Sequence, residues 1–545
     1  MKASRRLGVL ALLAGPTLLL TACNSDATGG GKPGRPVSGG TLTYAVNSEP
    51  VNLDPHASSQ DVTALFARPV LDSLVSMDES GRIRPWLATS WDISADEKTY
   101  TFTLREGVRF HDGTPFDAKA VKANLDHVVD PKTKSEMAAG SIEPYRAAKV
   151  TGPRTVAVSL ERPHAPLLAA LSTPYLGMQS PAALRAGPTA LARKLVGSGP
   201  FVMESFTPRK GADYQRNEDY DWAPGTASRK GPARLKGLTL QVITEDAARL
   251  GALTSGQVDA IAQVPPSAVR QLTSDRRLRI TKHAVPGGTY TYYPNTGSGP
   301  FKDARVRQAF RDGIDFTTVV KELYFGVFDR SHTPLSPSTP GTAPGPRRLG
   351  YDPEGAARLL DEAGWNARDD QGYRTKDGRR LTIRWPFVQA SGAREQRSTL
   401  AAQIQAEAKK LGIELKLVEG TLGELVQQYS KGDYDLMDLS WTHADGDALR
   451  NLFHSRAVST PERFGQNAAR FVDKETDHLL EEALATAAPE RREQLYARVQ
   501  DRVADKRAAF PVYVVNSVVG ISAKAQGLAW EPQAYPSFRD AWLIP

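Results

Sequence analysis

Polar and apolar residues alternate over Thr41-Leu42-Thr43-Tyr44-Ala45-Val46 and over Tyr100-Thr101-Phe102-Thr103-Leu104, the period of two that a strand with one buried face requires. Between residues 118 and 129, Val121, Leu125, Val128 and Val129 recur at helical spacing behind Asp117, whose carboxylate can accept from the free N–H groups of a first turn. Asp352-Pro353-Glu354 sets a cap, a proline at the first helical position and an acid in the first turn ahead of Ala356, Leu359 and Leu360, and Gly364 closes that helix. The scheme recurs over residues 400–411 and stops at Gly412, after which Ile413-Glu414-Leu415-Lys416-Leu417 alternates as a strand. Helix, glycine, strand is a recurrent α/β joint, so the pattern predicts a mixed α/β protein. No internal repeat is evident.

One apolar run stands apart. Residues 7–20 follow Lys2, Arg5 and Arg6 and end in Leu20-Thr21-Ala22-Cys23, which together form the charged region, apolar core and small-residue cleavage site of a secretory signal. The run is too short to span a membrane well, and no later run is long enough. Cys23 is the only cysteine among 545 residues, so no internal disulfide is possible and stability must come from packing. A lone cysteine at that place reads as a lipid attachment point. Residues 24–40 are rich in Gly, Ser, Pro and Thr, which predicts a flexible tether. Gly29-Gly30-Gly31-Lys32-Pro33-Gly34 has the spacing of a dinucleotide fingerprint, but no strand precedes it and two prolines would spoil the following helix, so it is read as linker.

Removing residues 1–22 takes away Lys2, Arg5 and Arg6 and lowers the formal net charge from +8 to +5. No dense Lys/Arg block or nucleic-acid motif accompanies that charge, so nucleic acid is not expected as a partner; the charge reads as a solubility property, with a weak attraction to an anionic envelope as a secondary reading. The length predicts two to four domains, each with its own core.

Several ordered blocks resemble one family. Gly39-Gly40-Thr41-Leu42, Glu49-Pro50 and Leu53-Asp54-Pro55 open the series. Val70-Leu71-Asp72-Ser73-Leu74, Pro85-Trp86-Leu87-Ala88, Ser90-Trp91, Gly107-Val108 and Phe110-His111-Asp112-Gly113-Thr114-Pro115-Phe116 follow. Gly197-Ser198-Gly199-Pro200-Phe201, Arg216-Asn217-Glu218-Asp219-Tyr220, Gly256-Gln257-Val258-Asp259, Asn295-Thr296, Pro300-Phe301 and Val306-Arg307-Gln308-Ala309 complete it. Their order and spacing, from about residue 39 to 455, resemble those of the extracytoplasmic solute-binding proteins of family 5, the substrate-binding lipoproteins of peptide and nickel ABC importers.

The resemblance implies a two-lobed α/β fold, the periplasmic-binding-protein-like type II, cluster C, with an extra subdomain inserted in the first lobe and lobes that close on a ligand by a hinge. By that analogy residues 1–22 are a lipoprotein signal peptide and 23–40 a tether. Lobe I is 41–60 with 195–285 and 511–545, the inserted subdomain is 61–194, lobe II is 286–510, and the hinge strands fall near 283–286 and 509–512. The implied function is capture of a peptide or peptide-like solute for an ABC permease and its ATPase subunits. The protein is expected to be a monomer held at the outer face of the cell membrane by acylated Cys23, with no cofactor and no chemistry of its own. A nickel chelate, an oligosaccharide or a siderophore-like ligand, or a pocketless envelope scaffold, are the alternatives.

A free peptide presents an ammonium group, a carboxylate and backbone between, so its captor needs an acid, a basic group and exposed polar backbone. In Trp441-Thr442-His443-Ala444-Asp445 the resemblance points to Asp445 as the ammonium anchor and Trp441 as a flat wall or cation–π partner. It also implies carboxylate contacts from Arg394 and Arg397, backbone groups from Ser58, Ser59 and Gln60, and a rim contact from Asn295, whose residue type equally suits a turn. Asp438-Leu439-Ser440 lacks the arginine that some oligopeptide-binding members carry before that tryptophan. His443, Asp445, Asp447 and His454 do not have the spacing of a recognised zinc or calcium site. Serine-hydrolase, zinc-protease and Walker motifs are absent; Asp369-Asp370 lies in a polar turn and His111-Asp112 in a structural block, which disfavours an enzyme.

Overall fold

The computed structural model describes residues 35–344, 350–387 and 394–544, so the signal segment, Cys23 and residues 24–34 of the tether lie outside the described residues. Residues 37–545 form one compact unit.

Thr41–Val46 alternates because one of its faces enters a core, and it becomes the parallel centre of a seven-stranded sheet. It pairs in parallel with Gly237–Val242, Thr41 opposite Gly237 and Val46 opposite Val242, and with Ala260–Ala262 on the other side. Gly211–Arg216 and Phe201–Thr207 extend the sheet antiparallel at one edge; Asn516–Ser522 and Leu278–Ala284 extend it at the other. Leu42, Tyr44, Val46, Phe201, Leu238 and Leu240 fill the core beside it.

Leu278–Ala284 leads into Gly287–Pro294, the buried middle strand of a second sheet between Leu436–Thr442 and Phe510–Tyr513. The chain returns to the first sheet with Asn516–Ser522, and where the two passages cross, the Val285 N–H donates to the Val515 carbonyl at 2.9 Å. The return passage thus falls at 514–515, a few residues after the expected 509–512, because Phe510–Tyr513 is needed to complete the second sheet. The two parallel strands Thr382–Phe387 and Glu414–Glu419 stand next to that sheet. Helix Arg397–Lys410 starts three residues before the expected position and ends as read, with Gly412 at φ +81°.

A third sheet, antiparallel, joins Ala88–Ile93, Thr99–Leu104, Thr155–Leu160 and Tyr145–Gly152. Helix Ala118–Val129 belongs to the same core and is capped as its sequence requires, the Ala120 N–H donating to Asp117 at 2.9 Å. This subdomain begins later than residue 61: Leu65, Phe66, Ala67, Val70 and Leu71 are apolar and pack into the core of the seven-stranded sheet.

Asp72 sits where the two cores meet, fully buried, accepting from Ser198 Oγ and Trp222 Nε1 at 2.9 Å each and from Tyr220 OH at 3.3 Å. Burial pushes its carboxyl up to about 7, against the partial offset of those hydrogen bonds. A raised folded value favours the folded state most below the ordinary carboxylate range, and that contribution is lost as pH rises toward 7. Asp72→Asn should therefore remove a fall in stability between about pH 4 and about pH 7 that the unsubstituted protein shows. Denaturant midpoints across that range check it, and equal slopes in the two proteins would contradict it.

Candidate ligand-binding site

Two adjoining cavities open where the sheets face one another. The larger, about 850 Å³, runs between the C-terminal end of Thr41–Val46, the 59–65 and 244–246 segments and the 262–266 turn on one side, and Gly288, Phe328, Glu395 and residues 440–442 on the other. The smaller, about 420 Å³, lies between the inserted subdomain and residues 441–451. They share Trp441, Thr442, Gln533 and Tyr535. Such volumes suit small-molecule ligands.

Trp441 is held at this junction by the end of strand Leu436–Thr442, where Gly288 pairs with it. Gly287 permits the approach: at φ +108°, an added Cβ would lie 2.0 Å from the Trp441 carbonyl oxygen and 2.4 Å from the His443 nitrogen.

The larger cavity is acidic. Asp61, Glu245, Asp246 and Glu395 line it, and among the described residues no lysine or arginine does. Glu395 is engaged by Arg397 at 2.8 Å, and Asp246 pairs with Arg249. Asp61 differs: it is exposed, and its Oδ1 accepts from Tyr535 OH at 3.1 Å and Tyr175 OH at 3.4 Å, while Oδ2 has no partner among the described residues. Tyrosine hydroxyls orient this carboxylate without neutralising it.

Asp445 lines the smaller cavity but is not a vacant acid. It is 2 % exposed, and its carboxylate accepts from Arg492 Nη2 at 2.7 Å, Tyr496 OH at 3.1 Å and the Asp447 N–H at 2.9 Å. Burial alone would raise its carboxyl; Arg492, with the Asp447 N–H and Tyr496, overcomes that and holds it below the usual carboxylate range. Its charge is already matched by Arg492, which leaves an incoming ammonium little to gain there.

Other residues named from the sequence divide in the same way. Ser59 and Gln60 line the larger cavity; Ser59 donates through N and Oγ to Glu136, and Gln60 Oε1 accepts from the Val51 N–H. Ser58 is buried, its hydroxyl accepting from the Gln60 N–H and from Thr63, so it makes no wall. Arg397 is buried behind Glu395 with its guanidinium 4.3 Å from the centre of the Tyr290 ring, too enclosed to meet a ligand carboxylate. Asn295 is fully buried, donating to the carbonyls of Gly432 and Tyr434 and accepting from the Gly297 N–H, which makes it a turn residue and not a rim contact. The Arg394 side chain lies outside the described residues.

The arginines on the smaller cavity are Arg162 and Arg450. Arg450 donates through Nε and Nη2 to Asp447, leaving Nη1 for another acceptor. Among the described residues no group of three or more histidines, cysteines, aspartates or glutamates is placed to hold a metal ion. His454 points instead to Asp477 and Glu481, and His111 lies 3.0 Å from the Gly199 carbonyl in a structural turn.

Sequence reading stopped one residue short of Asp61, the neighbour of Gln60, and missed Tyr175 and Tyr535, which reach it from 114 and 474 positions away. Arg492 and Tyr496 stand one helical turn apart on Pro489–Asp505 and reach Asp445 from one face of that helix, with nothing local to either string that ties them to it.

Two α/β lobes with cavities opening between their sheets fit a solute-binding protein. The chain belongs to the bacterial extracellular solute-binding proteins, family 5: the family model, described as "family 5 Middle", matches residues 82–459. Heme-binding protein A of Haemophilus influenzae is 26% identical over 560 residues, covering 96% of this chain and 97% of that protein. The nickel-binding periplasmic protein of Escherichia coli is 26% identical over 506 residues, 91% of this chain and 92% of that one. The crystal structure of NikA from Brucella suis in complex with Fe(III)-EDTA superposes with a TM-score of 0.80 at 27% identity, covering 93% of this chain and 100% of that one. Family 5 proteins are the substrate-binding components of ABC importers, acting outside the cytoplasm with a permease. No helix among the described residues is long and apolar enough to cross a membrane.

Proposed function

We propose that this protein is a lipoprotein that captures a peptide or peptide-like solute with a free ammonium group and delivers it to its permease. The observation that carries the reading is the wall of the larger cavity: four carboxylates, no lysine or arginine among the described residues, and Asp61 left without a cationic partner. A cation entering there replaces its water with a carboxylate, two tyrosine hydroxyls and the face of Trp441. On the smaller cavity Arg162 is paired with Glu143 and Arg450 with Asp447, so the Nη1 group of Arg450 is what would meet the carboxylate end of a ligand that spans both chambers. The two cavities weigh against the pocketless-scaffold alternative, which a sealed or absent cleft would favour.

The test is thermal unfolding of residues 37–545 with pools of di-, tri- and longer peptides, nickel chelates and oligosaccharides. A ligand that binds only the folded state adds about 2.7 kcal/mol at a hundredfold excess over its Kd. Peptides with a free amino terminus are expected to raise the midpoint. Silence from peptides beside a response to chelates or sugars would overturn the peptide assignment.

Residues 2–23 support the anchor: a basic start, an apolar core and Leu20-Thr21-Ala22-Cys23. A labelled fatty acid should be incorporated into the full chain and not into Cys23→Ala; equal labelling of both would refute acylation at that residue.

A further inference from the structure

The basic balance of the chain has no role in the acidic cleft, and much of it collects at the far end of the seven-stranded sheet, where the tether enters. The Gly39 N–H donates to the Arg234 carbonyl at 2.8 Å, and Arg216 Nη1 reaches Ser38 Oγ at 3.0 Å. The Lys236 N–H donates to the Gly40 carbonyl, and the Arg234 N–H to that of Arg539. Arg539 in turn donates to the Arg229 carbonyl. These bonds bring Arg216, Arg229, Lys230, Arg234 and Lys236 into one patch around residues 38–40, with Arg539 buried beneath it. Against these five surface cations stand Glu218, paired with Arg216, and Asp540, paired with both Arg229 and the buried Arg539. Asp219 and Asp221 border the patch on one side. Lys230 and Lys236 are exposed and form no ion pair among the described residues.

We infer that this patch is a docking face for an anionic lipid surface. The reasoning is one of reach and sign. Residues 23–36 separate Cys23 from the body, and a stretch of that length, read from its composition as a tether, would reach about 20 Å root-mean-square. With Cys23 acylated, which is the anchor reading above, a body whose described residues start at this face would have the face within that reach of the membrane. There the field of anionic headgroups, which decays over about 8 Å at physiological salt, acts on a surplus of positive charge. Thr41–Val46 runs from the patch to the cleft, whose wall includes Val46, Asn47 and Ser48. At about 3.3 Å per residue the cleft mouth is some 20 Å farther along the sheet. The docked pose therefore turns the acidic cleft away from an anionic surface and toward incoming solute. Because the attraction is electrostatic and shallow, it releases when the protein turns to engage a permease.

The test uses residues 37–545, which carry no acylation site, so its outcome does not depend on Cys23. The body should sediment with vesicles of equal phosphatidylglycerol and phosphatidylcholine at about 20 mM salt, fail to do so at about 0.5 M salt, and ignore pure phosphatidylcholine. Lys230→Glu with Lys236→Glu should lower the partition coefficient by about tenfold or more. Arg209→Glu with Lys210→Glu makes the same change in net charge at the other end of the sheet and should lower it by less than about threefold. Should the first variant fail to fold, Lys230→Gln with Lys236→Gln takes its place. No binding of the unsubstituted body to anionic vesicles, or an equal loss in the two charge-matched variants, would overturn the inference. Fatty-acid labelling of the full chain separately decides whether the anchor exists.

Discussion

Asp445→Ala is expected to destabilise the folded protein by about 3–5 kcal/mol, with or without ligand, because it strands a buried guanidinium. The Asp445 and Arg492 side chains are only 3% and 13% exposed and meet at 2.7 Å. Tyr496 OH and the Asp447 N–H would lose their acceptor as well. Removing both charges should cost less than removing one, so Asp445→Ala/Arg492→Ala should recover part of the loss. The pH dependence has a definite sign. A carboxyl held below its ordinary value stabilises the fold above that ordinary value, near 4, and the contribution disappears as pH falls through the folded value. The acid limb of the stability curve should accordingly be shallower in Asp445→Ala. Denaturant unfolding at pH 7 and along the acid limb measures both effects; a variant as stable as the unsubstituted protein would mean that the ion pair carries no weight in the fold.

Asp61→Asn should do the opposite: leave the unliganded protein close to its original stability and weaken binding of a peptide ammonium by about thirtyfold or more. The exposed Asp61 carboxylate contributes little to the fold, but inside a closed cleft it would be the ammonium's counter-charge. Tyr535→Phe and Tyr175→Phe each remove one orienting hydroxyl and should weaken binding by about fivefold. Titration calorimetry with a peptide found by the unfolding screen, and with its N-acetylated form, separates charge from shape. Acetylation should cost the unsubstituted protein about as much as the substitution does, and cost Asp61→Asn almost nothing further. An acetylated peptide that binds the unsubstituted protein equally well would remove the ammonium from the account.

Local chemistry explains why much of the fold could be read in advance. Asp117 and Asp352 cap their helices because a short acidic side chain reaches the N–H three residues on, a relation contained within one turn of chain. Gly412 ends a helix because its own φ is positive. Thr41–Val46 alternates because its own two faces differ in burial. The family was legible for a related reason: its blocks are contiguous strings whose order survives wherever the chain goes.

The site resisted because its charges are balanced by partners that no local string reveals. In sequence Asp445 is an acid beside a tryptophan, and whether it is vacant or neutralised depends on Arg492, 47 positions away. Arg397 reads as an available cation until Glu395 and Tyr290 enclose it. Asp61 carries no local mark of its role until Tyr175 and Tyr535, 114 and 474 positions further along the chain, arrive beside it. By itself the sequence determined the helix and strand starts set by caps and alternation and membership in a two-lobed family, all of which are encoded in contiguous residues. Only the tertiary structure decided which carboxylate faces the cleft unpaired and where the basic surplus gathers, because the free energy of a charge is set by the neighbours that folding brings within a few ångströms of it.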